Sequence, residues 1–222
     1  SVLLRYHEKI LPTEALRAGA LQAHEIAPTL MALGPMTENM LTGFQHSTES
    51  APEFAQSRAY ITKPWLGHGG LNVRKWDSGR ELWEGSQGGR NLTQELIQPV
   101  LTEIHTHGDR RVYFLNGQVM GDFSRFPPHA GTILANTVRG GIPKRVEWTE
   151  RGRDICRRLG EFLRLLDIWL AGVDMIGERI SEVNITAPTS FAVFRSLGGA
   201  DLNIACVDDL ELRLKIPVGA QA

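Results

Sequence analysis

The chain has 222 residues, 42% of them hydrophobic and 22% charged, which suits one sizeable domain or two small units sharing a cleft. Its formal net charge of −1 gives no sign of a nucleic-acid or membrane surface. No apolar run approaches the roughly 18 residues that span a bilayer. Residues 1–9 carry no long apolar signal segment, and Cys156 and Cys206 have no metal-type spacing. The expectation is a cytoplasmic protein that engages neither nucleic acid nor membrane.

In chain order, residues 9–34 read as helical or mixed, and 35–57 as a short helix with loops. Ala59-Tyr60-Ile61-Thr62-Lys63-Pro64 is a predicted strand ending at proline. The glycine-rich turn Gly67-His68-Gly69-Gly70 follows, then an alternating return strand over 71–76 and a glycine-containing loop over 85–92. Leu96-Ile97-Gln98-Pro99-Val100 is a short strand. Asn116-Gly117 between the apolar runs 110–115 and 118–123 is a hairpin signal. A long Gly/Pro loop covers 127–143. Thr149 is a helix N-cap candidate, with Ile155, Leu159, Phe162, Leu163 and Leu166 at helical spacing to about 166. Strands over 169–176 and 179–186 flank Gly177-Glu178. Cys156, within the helix, reads as a packing residue.

The last hairpin carries the most chemistry. Glu182 and Asn184 are two apart on one strand and so share a face. A tight turn at Gly177-Glu178 brings Asp174 back to the level of Glu182. Two carboxylates and an amide oxygen are hard ligands suited to Mg²⁺ that shares its sphere with phosphate. The plain alternative is a polar hairpin face in solvent. Lys63 beside a glycine-rich turn would offer a point charge and backbone N–H groups to phosphate. Arg111, Arg125 and Arg139 would hold further anionic groups. Taken singly, each of these reads first as an ordinary solvated side chain.

In this order the segments resemble the ATP-grasp family, and within it the bacterial glutathione synthetases, from about Val2 to Thr189. The most specific part is Gly172 to Thr189, similar to the family's metal-binding hairpin and the Pro-Thr turn after it. The resemblance implies an α+β fold, with two α+β subdomains whose antiparallel sheets grip ATP, divided here as 1–97 and 98–222. It implies that Lys9, of His7-Glu8-Lys9, and Lys63 meet the ATP phosphates beneath a loop containing Gly67, Gly69 and Gly70. Gln98, Pro99 and Val100 would form the adenine hinge. Asp109 would lie near the ribose and Arg111 near the phosphates. Arg125 would open the substrate loop, with Asn136 and Arg139 at its end. Asp174, Glu182 and Asn184 would bind Mg²⁺, with Mn²⁺ as an alternative.

The implied reaction joins a small-molecule or dipeptide carboxylate to an amine through an acylphosphate, with γ-glutamylcysteine and glycine as the family's substrates. The family normally carries about a hundred residues before the Asn-Glu-Lys point, which here falls at residue 7. This implies a missing N-terminal domain or a fragment, a partner that supplies that domain, or a homo-oligomer. The substrate loop also departs from the pattern, reading Thr132-Ile133-Leu134-Ala135-Asn136 where an arginine usually precedes Gly-Asn. Alternatives are a glutamate or natural-product ligase of the same fold and a non-catalytic nucleotide-binding relative.

Overall fold

The structure, a computed structural model, describes residues 11–31, 57–66, 69–87 and 95–214. Two antiparallel sheets form its frame. The first has strand order β1-β4-β2-β3, with β1 Leu30–Met31, β2 Tyr60–Pro64, β3 Arg74–Trp76 and β4 Glu95–Pro99. Alternation along β2 buries Tyr60 and Thr62, whereas Ile61 and Lys63 face the central cavity.

β3 is shorter than the alternation over 71–76 predicts, because Asn72 adopts a positive φ of 57° and keeps the chain in a turn. Helix α1, Leu11–Arg17, precedes this sheet, and α2, Gly79–Gln87, lies against β3. Residues 85–87 of the loop expected over 85–92 are therefore helical, and 88–92 lie outside the described residues. Gly85 is helical, and its missing side chain admits the Trp76 ring. A Cβ there would stand 2.3 Å from that ring, which Trp76 Nε1 anchors by donating to Thr62 Oγ1 at 3.1 Å.

The second sheet has the order β7-β6-β5-β8-β9, with β5 Asp109–Leu115, β6 Gln118–Phe126, β7 Ile142–Lys144, β8 Leu170–Ile176 and β9 Arg179–Asn184. Positive φ at both Asn116 (51°) and Gly117 (75°) makes the β5–β6 turn the kind whose twist matches its strands. Helix α3, Glu150–Leu165, starts at Thr149, whose hydroxyl accepts the Gly152 N–H at 2.9 Å.

Period-2 alternation in the strands and the apolar stripe of α3 meet in one core. Val112, Phe114, Val173 and Met175 pack with Ile155, Leu159 and Leu163. Each such aliphatic side chain contributes about 1.5–3 kcal/mol on burial. Cys156 belongs to this core. Burial pushes its thiol up to about 12, in keeping with a packing role.

Leu11, Ala15, Leu21 and Ile26 join the same core, Ala27 N donates to Ile180 O at 2.8 Å, and Arg158 binds Glu25 at 2.6 Å. Residues 11–27 thus pack on the second sheet, although they precede the first in sequence. β4 stays paired with β2 through Pro99 and crosses residue 97. The other face of the second sheet carries Asp109, Arg111 and Tyr113. Its far end is covered by α4, Phe191–Ser196, and α5, Leu202–Leu214, through a cluster of Tyr113, Phe123, Phe194 and Leu202.

Candidate functional site

A cavity of about 820 Å³ opens between the two sheets. Lys63, Gly69, Gly70 and Gln98 line it from the first sheet and its turn. Asp109, Arg111, Arg125, Asp174, Glu182 and Asn184 line it from the second, and Asn136 and Arg139 from the β6–β7 connection. Pro99, which ends β4, and Val100, which follows it, lie outside this lining. The Val100 N–H is donated to Ala59 O at 2.9 Å, so the hinge has carbonyls rather than that N–H to offer a base. Lys9 and Gly67 lie outside the described residues.

Strand register gathers the polar groups. Asp174 sits opposite Arg111 on β5 and opposite Glu182 on β9, while Asp109 sits opposite Arg125. Residues directly opposite project to the same face, so all five reach the cleft. Asp174 is the hub. Arg111 donates to it through Nε at 2.6 Å and Nη2 at 3.0 Å. Arg125 Nη2 bridges Asp174 Oδ1 at 2.7 Å and Asp109 Oδ2 at 2.6 Å. Arg125 is 3% exposed and Arg111 6%.

Burial raises the Asp174 pKa, but the two guanidiniums outweigh it and hold the carboxyl below its ordinary range. Asp109 goes the other way. Burial pushes it up to about 6 against the pull of Arg125. Its Oδ1 is buried with no hydrogen-bond partner among the described residues, the kind of atom that a bound ligand satisfies.

Glu182 faces Lys63 of the other sheet, Oε2 to Nζ at 3.9 Å. Asn184 Nδ2 donates to Gly172 O at 3.1 Å and Asp174 Oδ2 at 3.4 Å, leaving its Oδ1 as the atom for a metal. Gly172 is glycine because the Arg111 side chain crosses it: a Cβ would lie 3.0 Å from Arg111 Nη1 and 2.9 Å from Pro188. Among the described residues no group of three or more His, Cys, Asp or Glu is placed to hold a metal. The Asp174, Glu182 and Asn184 set, with two carboxylates and one amide, nevertheless fits a hard cation. It suits one that completes its sphere with phosphate and water rather than one caged by protein.

Three further features were not selected from the sequence. Tyr113, which reads as a core strand residue, donates its hydroxyl to Thr189 O at 2.8 Å and so tethers the Pro-Thr turn. The Asp109, Arg111, Tyr113 alternation was the available signal. Glu178, an exposed turn residue by sequence, accepts from Thr149 Oγ1 at 2.7 Å and faces Arg151 at 3.4 Å, tying the β8–β9 turn to the start of α3. Ile133, Leu134, Ala135 and Val138 also line the cavity, a wall that charge-based reasoning passes over.

The fold and this cleft define an ATP-grasp protein. Among solved structures the chain is similar to D-cycloserine synthetase DcsG, with a TM-score of 0.65, 17% identity, and 96% of this chain and 72% of that one covered. It is also similar to D-alanine–D-alanine ligase from Bacillus anthracis, with a TM-score of 0.58, 13% identity, and 94% and 68% covered. Residues 37–198 match the family model of the prokaryotic glutathione synthetase ATP-grasp domain, and the chain belongs to that family.

The glutathione synthetase of Agrobacterium fabrum is 32% identical over 159 residues, covering 68% of this chain and 48% of that protein. That of Bradyrhizobium diazoefficiens is 35% identical over 116 residues, covering 52% and 36%. The chain thus spans about half or less of the length of these relatives. No helix among the described residues is long and apolar enough to cross a membrane.

Proposed function

We propose that this chain is the nucleotide-binding, catalytic part of an ATP-dependent carboxylate–amine ligase of the glutathione synthetase type. The observation that carries this reading is the meeting of Lys63 from one sheet with Asp174, Glu182 and Asn184 from the other on a single cavity. ATP and a carboxylate donor would share that cavity. The donor carboxylate attacks the γ-phosphorus, and ADP leaves with the β–γ bridging oxygen. The amine then attacks the acyl carbon, loses a proton and expels phosphate. This chemistry needs positioning and charge neutralisation rather than a protein nucleophile.

In this reading Lys63 and Arg111 face the phosphates. Arg111 spends Nε and Nη2 on Asp174 and keeps Nη1 for a ligand. The buried Oδ1 of Asp109 takes a ribose hydroxyl. Arg125, Asn136 and Arg139 serve the carboxylate and the acylphosphate, with Arg139 exposed at the rim. Asp174, Glu182 and Asn184 would hold Mg²⁺, which neutralises phosphate charge and polarises the oxygens of the transferring group. A division into two subdomains belongs to the same proposal, with residues 11–27 on the second sheet's side and the boundary after Pro99 rather than at 97.

The test is ADP release by the chain with Mg²⁺, ATP, γ-glutamylcysteine and glycine, set beside a panel of other acids and amines. Release that requires both an acid and an amine is expected. Absence of ATP binding and of ADP release with every pair would overturn the ligase reading. A related ligase with a different donor or acceptor is the second reading, favoured by the apolar Ile133-Leu134-Ala135 stretch on the cavity wall.

A further inference from the structure

Away from the central cavity, the second sheet meets α3 along a groove of about 390 Å³. Val119 and Asp122 of β6 sit opposite Phe114 and Val112 of β5. They therefore project to the face that α3 covers, not to the face of Asp109 and Arg111. The groove runs along β6. At one end α3 touches the β5–β6 turn, where a Cβ on Gly160 would stand 2.1 Å from Gly117 O. At the other end Trp148, whose Nε1 donates to Asp122 Oδ2 at 2.6 Å, forms a wall. Val119 and Cys156 lie between the two ends.

Two observations set this groove apart. The first is an open strand edge. β7 pairs with β6 only from Ser124 to Phe126. Beyond it, Arg110 Nη2 donates to Val146 O at 3.0 Å and Glu147 O at 2.9 Å, which draws the chain from the edge onto the face of the sheet. Gln118, Val119 and Met120 are exposed, and no strand among the described residues pairs with them on that side. The second is a row of cations. Arg153, Arg157 and Arg164 line the groove from α3. Arg157 is held by Asp154 at 2.7 Å and Glu161 at 2.8 Å, whereas Arg153 and Arg164 make no ion pair among the described residues. Arg153 and Arg157 stand about 6 Å apart along the helix axis. Alternate side chains of an extended chain are about 6.6 Å apart, so the two repeats match.

We propose that an extended acidic segment of another polypeptide docks in this groove. It adds to the edge of β6 over Gln118–Met120 and turns alternate carboxylates toward Arg153, Arg157 and Arg164. Main-chain hydrogen bonds to an edge strand supply affinity, and the side chains of the added strand supply selectivity. A guanidinium without a partner is a strong donor to a carboxylate. A second copy of this chain, joined through the same edge, would set each copy's arginines against the other's. The charge of the groove therefore favours a different, acidic chain. The site lies on the sheet face away from the cavity and stands independently of the ligase reading.

The probe is a peptide of about seven residues that alternates glutamate with valine, long enough at about 3.3 Å per residue to run past the open edge. Its binding to the full chain is measured by titration calorimetry, and backbone amide exchange by NMR. The glutamate peptide should bind at least about tenfold tighter than a version with lysine in place of glutamate, and more weakly as salt rises. It should slow amide exchange within 118–120. Arg153→Ser combined with Arg164→Ser should weaken it by about tenfold or more, and each single variant gives the same test should the pair fail to fold. Absence of binding overturns the inference. So does equal binding of the lysine version or of a short oligouridylate, binding that leaves the edge amides unprotected, or an affinity that a folded serine variant leaves unchanged.

Discussion

Asp174 is held by three guanidinium contacts, and Glu182 stands beside an ammonium. Sequence spacing suggests that the two carboxylates repel one another without metal, so that Glu182→Gln would relieve strain. Their neighbours remove that argument, because each carboxylate is already neutralised. The two positions should therefore respond differently. Glu182→Gln should abolish ADP release while shifting stability by less than about 1 kcal/mol, since a 3.9 Å partly solvated pair contributes little. Arg125→Ala should cost about 3–5 kcal/mol, because it strands Asp109 without its guanidinium partner and leaves Asp174 to Arg111 alone. Urea unfolding of both variants without Mg²⁺ reads the contrast. Equal losses would show that Glu182 also has a structural role, and near-normal turnover by Glu182→Gln would remove it from the metal set.

Among the elements, helix α2 sets local propensity against packing. Alanine is a better helix former than glycine by about 1 kcal/mol, so propensity alone predicts that Gly85→Ala stabilises. The Trp76 ring occupies the space a Cβ needs, and its bond to Thr62 prevents it from yielding. Gly85→Ala should destabilise instead, by about 1–3 kcal/mol, the usual range for overpacking. The change should be seen in Trp fluorescence as well as in the thermal midpoint. A higher midpoint would show that α2 can slide off β3 at no cost. Glycine in a periodic segment reads as a breaker in sequence, and only the ring lying across it explains why a helix keeps it.

At the scale of the whole molecule, one cleft is built from two sheets, so a ligand that touches both should stabilise the chain as a unit. At about 100 times its dissociation constant, Mg·ATP should add about 2.7 kcal/mol, or about 5–10 °C in the thermal midpoint for a chain of this length. Differential scanning fluorimetry should give a smaller shift for Mg²⁺ alone, because Asp174 is already engaged by Arg111 and Arg125. An equal shift from Mg²⁺ without nucleotide would contradict shared coordination with phosphate.

The sequence by itself determined the features whose physics is local. These are the Asn116-Gly117 and Gly177-Glu178 hairpins, the Thr149 cap, and the alternation that puts Glu182 and Asn184 on one face with Asp174 opposite. Each depends on turn chemistry or on a period of two or 3.6, which a short window of residues contains. Only the tertiary structure decided that residues 11–27 pack on the second sheet. It alone decided that Arg125 reaches Asp174 across 49 residues of chain, and that Ile133 and Leu134 line the same cavity as the charged groups. Those contacts follow from strand order and loop path, which set distant side chains against one another and leave no periodic trace in the chain.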